Sequence, residues 1–298
     1  MKFWPPEKHH LRASTGATEN CHRSFILVHS QWPMDTAKLN AYSAYDAHYW
    51  CHALIALDWY RYAQHDPLIS PTVDPQSQPF LIYNRAWSGS REYRLKFVEL
   101  LVDAGLVHSC KTTFSPNDGA LHYTKHLFRN RQFKVTHRLE DYFEPNTASS
   151  QNSADYHIQD YLSCNLEVVL ETVFDETYNH LTEKSLRPIA LGKPFMIAST
   201  PGSLDYLKRY GFQTFSPLIN EHYDKESDSL QRLQCIVQEL QRIALLPRQQ
   251  QQDMFEACQR IADHNRKRFF SRDFYNQIIE EYCTNMERAV ALARHTKI

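Results

Sequence analysis

LEVVLETVFDETYNHLTEKSLRPIALGKPFMIAS, Leu166 to Ser199, is the stretch that decides the fold. Leu166 to Phe174 is mostly apolar or β-branched, which predicts a buried strand. Thr182 then offers a side-chain oxygen as a helix N-cap, Glu183 suits the first turn, and a helix over Thr182 to Leu191 stops at Gly192. Pro188 removes one hydrogen bond from that helix, so a start nearer Leu186 reads equally well. PFMIAS (Pro194 to Ser199) is a second strand, and GSLDYLKRYG (Gly202 to Gly211) is a second helix closed by its glycine. Strands alternating with short helices specify a parallel sheet.

The same unit occurs upstream. PFLIYN (Pro79 to Asn84) reads as a strand and RAWSGSREY as a polar loop. RLKFVELLVDAGL (Arg94 to Leu106) reads as a helix with Leu95, Val98, Leu101 and Val102 on one face before Gly105. Pro67, Pro71, Pro75 and Pro79 sit among Asp, Ser, Thr and Gln, the composition of a linker, and place a boundary near residue 77. Before it, SFILVHS (Ser24 to Ser30) reads as a buried strand ending at Gln31-Trp32-Pro33. Ala44 to Ala63, banded with Tyr45, Tyr49, Trp50, Leu54, Leu57, Trp59 and Tyr60, reads as a helix. After Tyr223 the pattern is wholly helical through Ser229–Leu246, Arg248–Arg268 and Arg272–Thr296. The expected organisation is a mobile arm (1–22), an N-terminal α/β part (23–77), a Rossmann-type parallel-sheet domain (78–227) and bracing C-terminal helices (228–298).

With 298 residues, 42% of them hydrophobic and 22% charged, the chain can bury a core. Its net charge of -1 supplies no global field for nucleic acid, leaving room only for a local basic groove. No apolar run approaches the roughly 20 residues of a membrane helix, and MKFWPPEKHH lacks the apolar core of a signal peptide, so the cytoplasm is the expected compartment. The 7 cysteines include no C-x-x-C pair and are odd in number, which suggests neither a disulfide framework nor a zinc cage. His48 and His52 have helical spacing but lack the glutamate of a zinc hydrolase, and no metal site is expected.

Two loops carry the chemistry. A helix that follows a parallel strand presents unpaired N–H groups at the sheet's carboxyl edge, where such sheets bind anions. There Glu183 suits two hydroxyls of a ribose or hexose, and Lys184 suits a diphosphate. Thr182 as a plain cap, Glu183 on the helix dipole and a solvated Lys184 account for the same residues. In NRAWSGSREYR (Asn84 to Arg94), Arg85, Arg91 and Arg94 flank Ser88, Gly89 and Ser90, which suits phosphate oxygens. A surface loop with those arginines paired to Glu92 and Glu99 is the alternative. Two such loops on one sheet edge favour a joint diphosphate site.

LEVVLETVF followed by HLTEKSLRPIALGKPFMIAS resembles the donor-binding segment of the α-1,3-fucosyltransferase family. There a Phe-Glu-Asn strand end leads to Tyr-Val-Thr-Glu-Lys, a helix, a Gly and a Val-Pro strand. FLIYNRAWSGSREYRLKFVELLVDAG is similar to the opening of that family's donor domain, a strand ending in Ser-Asn, an arginine-bearing loop and a helix. The likeness covers about 150 residues, Phe80 to Ser227. The Thr-Glu-Lys core is also similar to that of uncharacterised phage and marine microbial proteins.

The resemblance implies an α/β, GT-B-like fold and a nucleoside-diphosphate sugar as donor substrate, with no cofactor. It assigns ribose hydroxyls to Glu183, the diphosphate or sugar to Lys184, and phosphates to Arg91 or Arg85. Asn84, Glu171 and Thr182 match motif positions, His180 stands where the family has a tyrosine, and Thr172 replaces its asparagine. The family's catalytic carboxylate follows the first N-terminal strand, and here that turn is HSQWP with Gln31 in place. Glutamine is no general base. His29, Asp35, Asp46 or His48 must then substitute, with His29 and Asp46 preferred. The expected function is metal-independent, inverting transfer of a sugar to a saccharide or other hydroxyl acceptor. Two alternatives stand beside it: a phage-type modifier of DNA bases, and a catalytically silent nucleotide-binding or interaction module.

Overall fold

The computed structural model describes residues 25–30, 45–66, 78–144, 153–176 and 178–295. In chain order these form β1 (Phe25–His29), β2 (Tyr45–Tyr49), α1 (Ala53–Trp59), β3 (Phe80–Ile82), α2 (Tyr93–Asp103), β4 (Cys110–Thr112) and a small hairpin of β5 (Asn117–Asp118) and β6 (Leu121–His122). There follow α3 (Ile158–Ser163), β7 (Leu166–Leu170), α4 (Glu183–Leu191), β8 (Phe195–Ala198), α5 (Ser203–Arg209), α6 (Ser229–Ala244), α7 (Arg248–Phe269) and α8 (Arg272–His295).

β3, β4, β7 and β8 make a 4-stranded, all-parallel sheet in the order β4-β3-β7-β8. This is an α/β protein with a Rossmann-like sheet. β7 and β8 are buried at every position, as near-continuous apolar strands covered on both faces must be. From β3 the chain moves outward to β4, then crosses back past β3 to β7. The carboxyl ends of β3 and β7 therefore flank a topological switch point, where open sheets of this kind leave a crevice.

Helix α4 starts at Glu183, not near Leu186, with Thr182 as its N-cap and Pro188 tolerated inside it. It ends at Gly192, whose φ of 67° suits glycine. The strand before it ends at Leu170, shorter than the apolar run suggests; the Glu171 N–H still donates to Ala198 O at 3.0 Å, and its side chain serves the start of α4.

The expected helix over Ala44 to Ala63 is corrected. Tyr45–Tyr49 is a strand paired in parallel with β1, Phe25 opposite Tyr45 and His29 opposite Tyr49, and the helix begins only at Ala53. Tyr45, Ala47 and Tyr49 carry a period of two that the aromatic bands of the longer window obscured. β4 and the hairpin were also unforeseen, being short and polar. The final helix braces the N-terminal strands rather than the main sheet: α8 packs on β2 and α1, and Asn285 Nδ2 donates to Tyr49 O at 2.9 Å. One core joins Tyr49 and Ala56 to the main sheet and to Cys258, Phe269 and Phe274 of the last two helices. A smaller one gathers Trp87, Val98, Phe114, Tyr123 and Leu139 beside α2. The arm, residues 67–77 of the linker, Gln31 and Asp35 lie outside the described residues. Among those described, no helix is long and apolar enough to cross a membrane.

Candidate functional site

A cavity of about 250 Å³ opens at the switch point. Arg85, Arg91 and Arg94 reach it from the loop and helix after β3, and Thr172, His180, Thr182, Glu183 and Lys184 from the segment after β7. His52, at the start of α1, completes the wall from the N-terminal part.

Glu171 is fully buried, and its oxygens are occupied by the start of α4. Oε1 accepts from the Thr182 amide at 2.9 Å, the Ser185 amide at 3.3 Å and the Ser185 hydroxyl at 2.6 Å. Oε2 accepts from the Thr182 hydroxyl at 2.9 Å and the Thr172 amide at 3.1 Å. The helix N-terminus expected to meet a ligand's phosphates thus already faces an internal carboxylate, which takes the Ser185 N–H while the Thr182 hydroxyl takes that of Lys184. Glu171 shapes the site without facing a ligand.

Glu183 is also engaged. Lys184 Nζ donates to Glu183 Oε1 at 2.5 Å and to Thr182 Oγ1 at 3.3 Å, and Tyr60 donates to the Glu183 carbonyl at 3.0 Å. His52 Nε2 lies 3.3 Å from Glu183 Oε2, an ion-pair distance without hydrogen-bond alignment, and neither ring nitrogen of His52 has a hydrogen-bond partner among the described residues. Burial raises the Glu183 carboxyl, but the contacts with His52 and Lys184 outweigh it and hold the group far below the usual carboxylate range. Burial pulls the Lys184 ammonium down, opposed by Glu183 and Glu171. Lys184 is not the solvated lysine of the alternative account, since its side chain is only 15% exposed.

The arginines are not paired to Glu92 and Glu99, because those carboxylates bind the 126–137 loop instead. Arg94 is buried and donates to the carbonyls of Ala86, Leu170 and Glu171, with Nε unpartnered among the described residues. Arg85 donates to the Asp155 carbonyl at 2.7 Å, packs over Tyr83 and leaves Nη1 unpartnered among the described residues. Arg91 donates through Nε to Ser88 O at 3.1 Å. Among the described residues none of the three forms an ion pair with a carboxylate. Burial lowers Arg85, with Arg187 adding to the shift, and burial with nearby Arg94 lowers Arg91. The cations therefore crowd one another, a field that a bound anion would relieve. Arg187, by contrast, is neutralised by buried Glu167.

His180 Nδ1 lies 3.2 Å from Ser30 O, at the end of β1, and burial lowers its pKa. Its ring meets His52 edge-on at 5.8 Å. His29 is off the wall, its ring against Tyr49. The Asp46 and His48 side chains lie outside the described residues. Asn84 is buried and does not line the cavity, and its backbone N–H donates to Thr113 Oγ1 at 3.1 Å. Sequence reasoning passed over His52 as a site residue. The signal was its place at the mouth of a short helix, hidden by the overlong helix drawn through it. No family model, no curated protein and no solved structure matches this chain.

Proposed function

We propose that this chain is a GT-B-like sugar transferase using a nucleoside-diphosphate sugar, and that Arg85, Arg91, Arg94 and Lys184 bind the diphosphate. The observation that carries the reading is the cluster of three guanidiniums at a switch-point cavity that have no carboxylate partner among the described residues. The likeness to fucosyltransferase donor domains supports the sugar. A cavity of about 250 Å³ is below the roughly 300–1,000 Å³ of pockets for drug-sized ligands, which suits the charged centre of a larger donor.

In this reading the cations neutralise charge that grows on the diphosphate as the glycosidic bond breaks. The acceptor hydroxyl gives its proton to His52, replacing His29 and Asp46 in that role. Glu183 orients the imidazole and stabilises its protonated form. Glu183 is then a positioning residue, since Lys184 and His52 already occupy it.

The deciding experiment is a thermal-shift series with nucleoside diphosphates, guanosine and uridine first. A ligand at 100 times its dissociation constant stabilises by about 2.7 kcal/mol. No shift with any nucleoside diphosphate overturns the reading. A shift without release of diphosphate from the matching sugar donors leaves a binding module.

A further inference from the structure

The run KHLFRNRQFKVTHR, Lys125 to Arg138, contains Lys125, Arg129, Arg131, Lys134 and Arg138 and no acidic residue, in a chain of net charge -1. All five cations are exposed. Arg138 alone makes a surface ion pair, 3.6 Å from Asp141, and the other four make none among the described residues.

The loop's backbone is held firmly. Glu92, the residue after Arg91, accepts from the Arg129 amide and His126 Nε2 at 3.0 Å and from the Asn130 amide at 2.8 Å. Glu99, two turns along α2, accepts from the Thr136 amide at 2.5 Å and the His137 amide at 2.9 Å. Both glutamates are buried and face inward onto amides. On the outside Asp103 meets His137, Asp175 meets Asn130, Asp228 meets Gln132 and Asp141 meets Arg138, which leaves Lys125, Arg129, Arg131 and Lys134 without a carboxylate partner among the described residues. Between the two limbs of the loop lies a recess of about 650 Å³ with Leu127, Arg131, Lys134, Val135 and Arg138 on its wall.

We infer that this recess binds a linear acidic polysaccharide, a chain of carboxylate- or sulfate-bearing sugars, along Arg131, Lys134 and Arg138. Fixed backbone and repeated cations suit a repeating anion, because little order is lost on binding. Single-stranded nucleic acid is disfavoured: it needs open aromatic faces for its bases, and of the aromatics on the wall Tyr123 is buried and Phe128 is half-buried with the His126 ring 4.7 Å away. The site stands apart from the switch-point cavity, and its binding is independent of any nucleotide.

The test is binding of the full chain to heparin oligosaccharide, polygalacturonate, neutral dextran and oligo-thymidylate at low and high salt. Expected are binding to an acidic polysaccharide, none to dextran, and an affinity that falls on the order of tenfold or more between about 50 and 200 mM salt. The combined variant Arg131→Ser, Lys134→Ser, Arg138→Ser should lose at least about tenfold, while Arg91→Ala leaves binding unchanged. A melting temperature checks its fold, and should it unfold, Arg131→Glu alone must show the loss. Tighter binding of oligo-thymidylate, absence of salt-dependent binding to both acidic polysaccharides, or an unchanged affinity in the folded variant overturns the inference.

Discussion

Glu171 Oε1 sits 2.9 Å from the Thr182 amide, so the helix that borders the cavity begins on a carboxylate supplied by the strand before it. Glu171→Ala strands several buried donors at once. The variant should lose about 3 kcal/mol or more of unfolding free energy, each orphaned group costing about 1–3 kcal/mol. Urea unfolding measures it, and a loss below about 1 kcal/mol would show that the helix start does not depend on this cap.

Lys184→Ala should weaken both the fold and the site. Glu183 loses a close cationic partner, at about 1.5–3 kcal/mol for a hydrogen bond to a charged group. If Lys184 also meets the diphosphate, turnover falls on the order of 10²-fold. Calorimetric titration with the active nucleoside diphosphate, beside urea unfolding, separates the two effects. Wild-type nucleotide affinity in the folded variant would remove Lys184 from the donor site.

Arg91 and Arg94 should part company. Arg91 is half-buried and donates to Ser88 O, so Arg91→Ala lowers anion affinity with a stability change within about 1 kcal/mol. Arg94 is buried and ties the carbonyls of Ala86 and Leu170 together, so Arg94→Ala costs about 2 kcal/mol or more. Equal losses of stability in the two variants would contradict this division of labour.

His180 gives a pH signature. Burial keeps its folded pKa below the ordinary value of about 6.5, so on acidification the unfolded chain takes up this proton first. Unfolding free energy then has a positive slope with pH below about 6.5, and the contribution is complete above it. His180→Asn, which can still donate to Ser30 O, should flatten the stability profile between about pH 7 and 5. Parallel profiles for the two proteins would place His180 in water.

The parallel sheet was legible because β7, α4, β8 and α5 each agree with their local pattern and carry clear stops at Gly192 and Gly211. The three helices after Tyr223 were equally plain. What could not be read was pairing: β4 has only three residues and mixed polarity, and it is a strand because β3 supplies hydrogen bonds. The site divides along the same line. Residue types in the two loops pointed to one sheet edge, but Glu171 and Glu183 drew ligand roles because nothing in a sequence tells that a carboxylate is already occupied. The occupants, Ser185 and His52, come from the first turn of α4 and from the far side of residue 77.

The bond from Asn285 to Tyr49 spans 236 residues of chain. During synthesis, this last tie on strand β2 must wait for α8 to be made, on the order of 10 to 50 s at roughly 5–20 residues per second. Meanwhile β7, α4 and β8 can already pair. The order of birth therefore runs against the order of the chain: the middle matures first, and the N-terminal strands are locked last. A ribosome stalled before residue 272 should carry a nascent chain whose sheet resists protease while the chain around Tyr49 is cleaved faster than in the released protein.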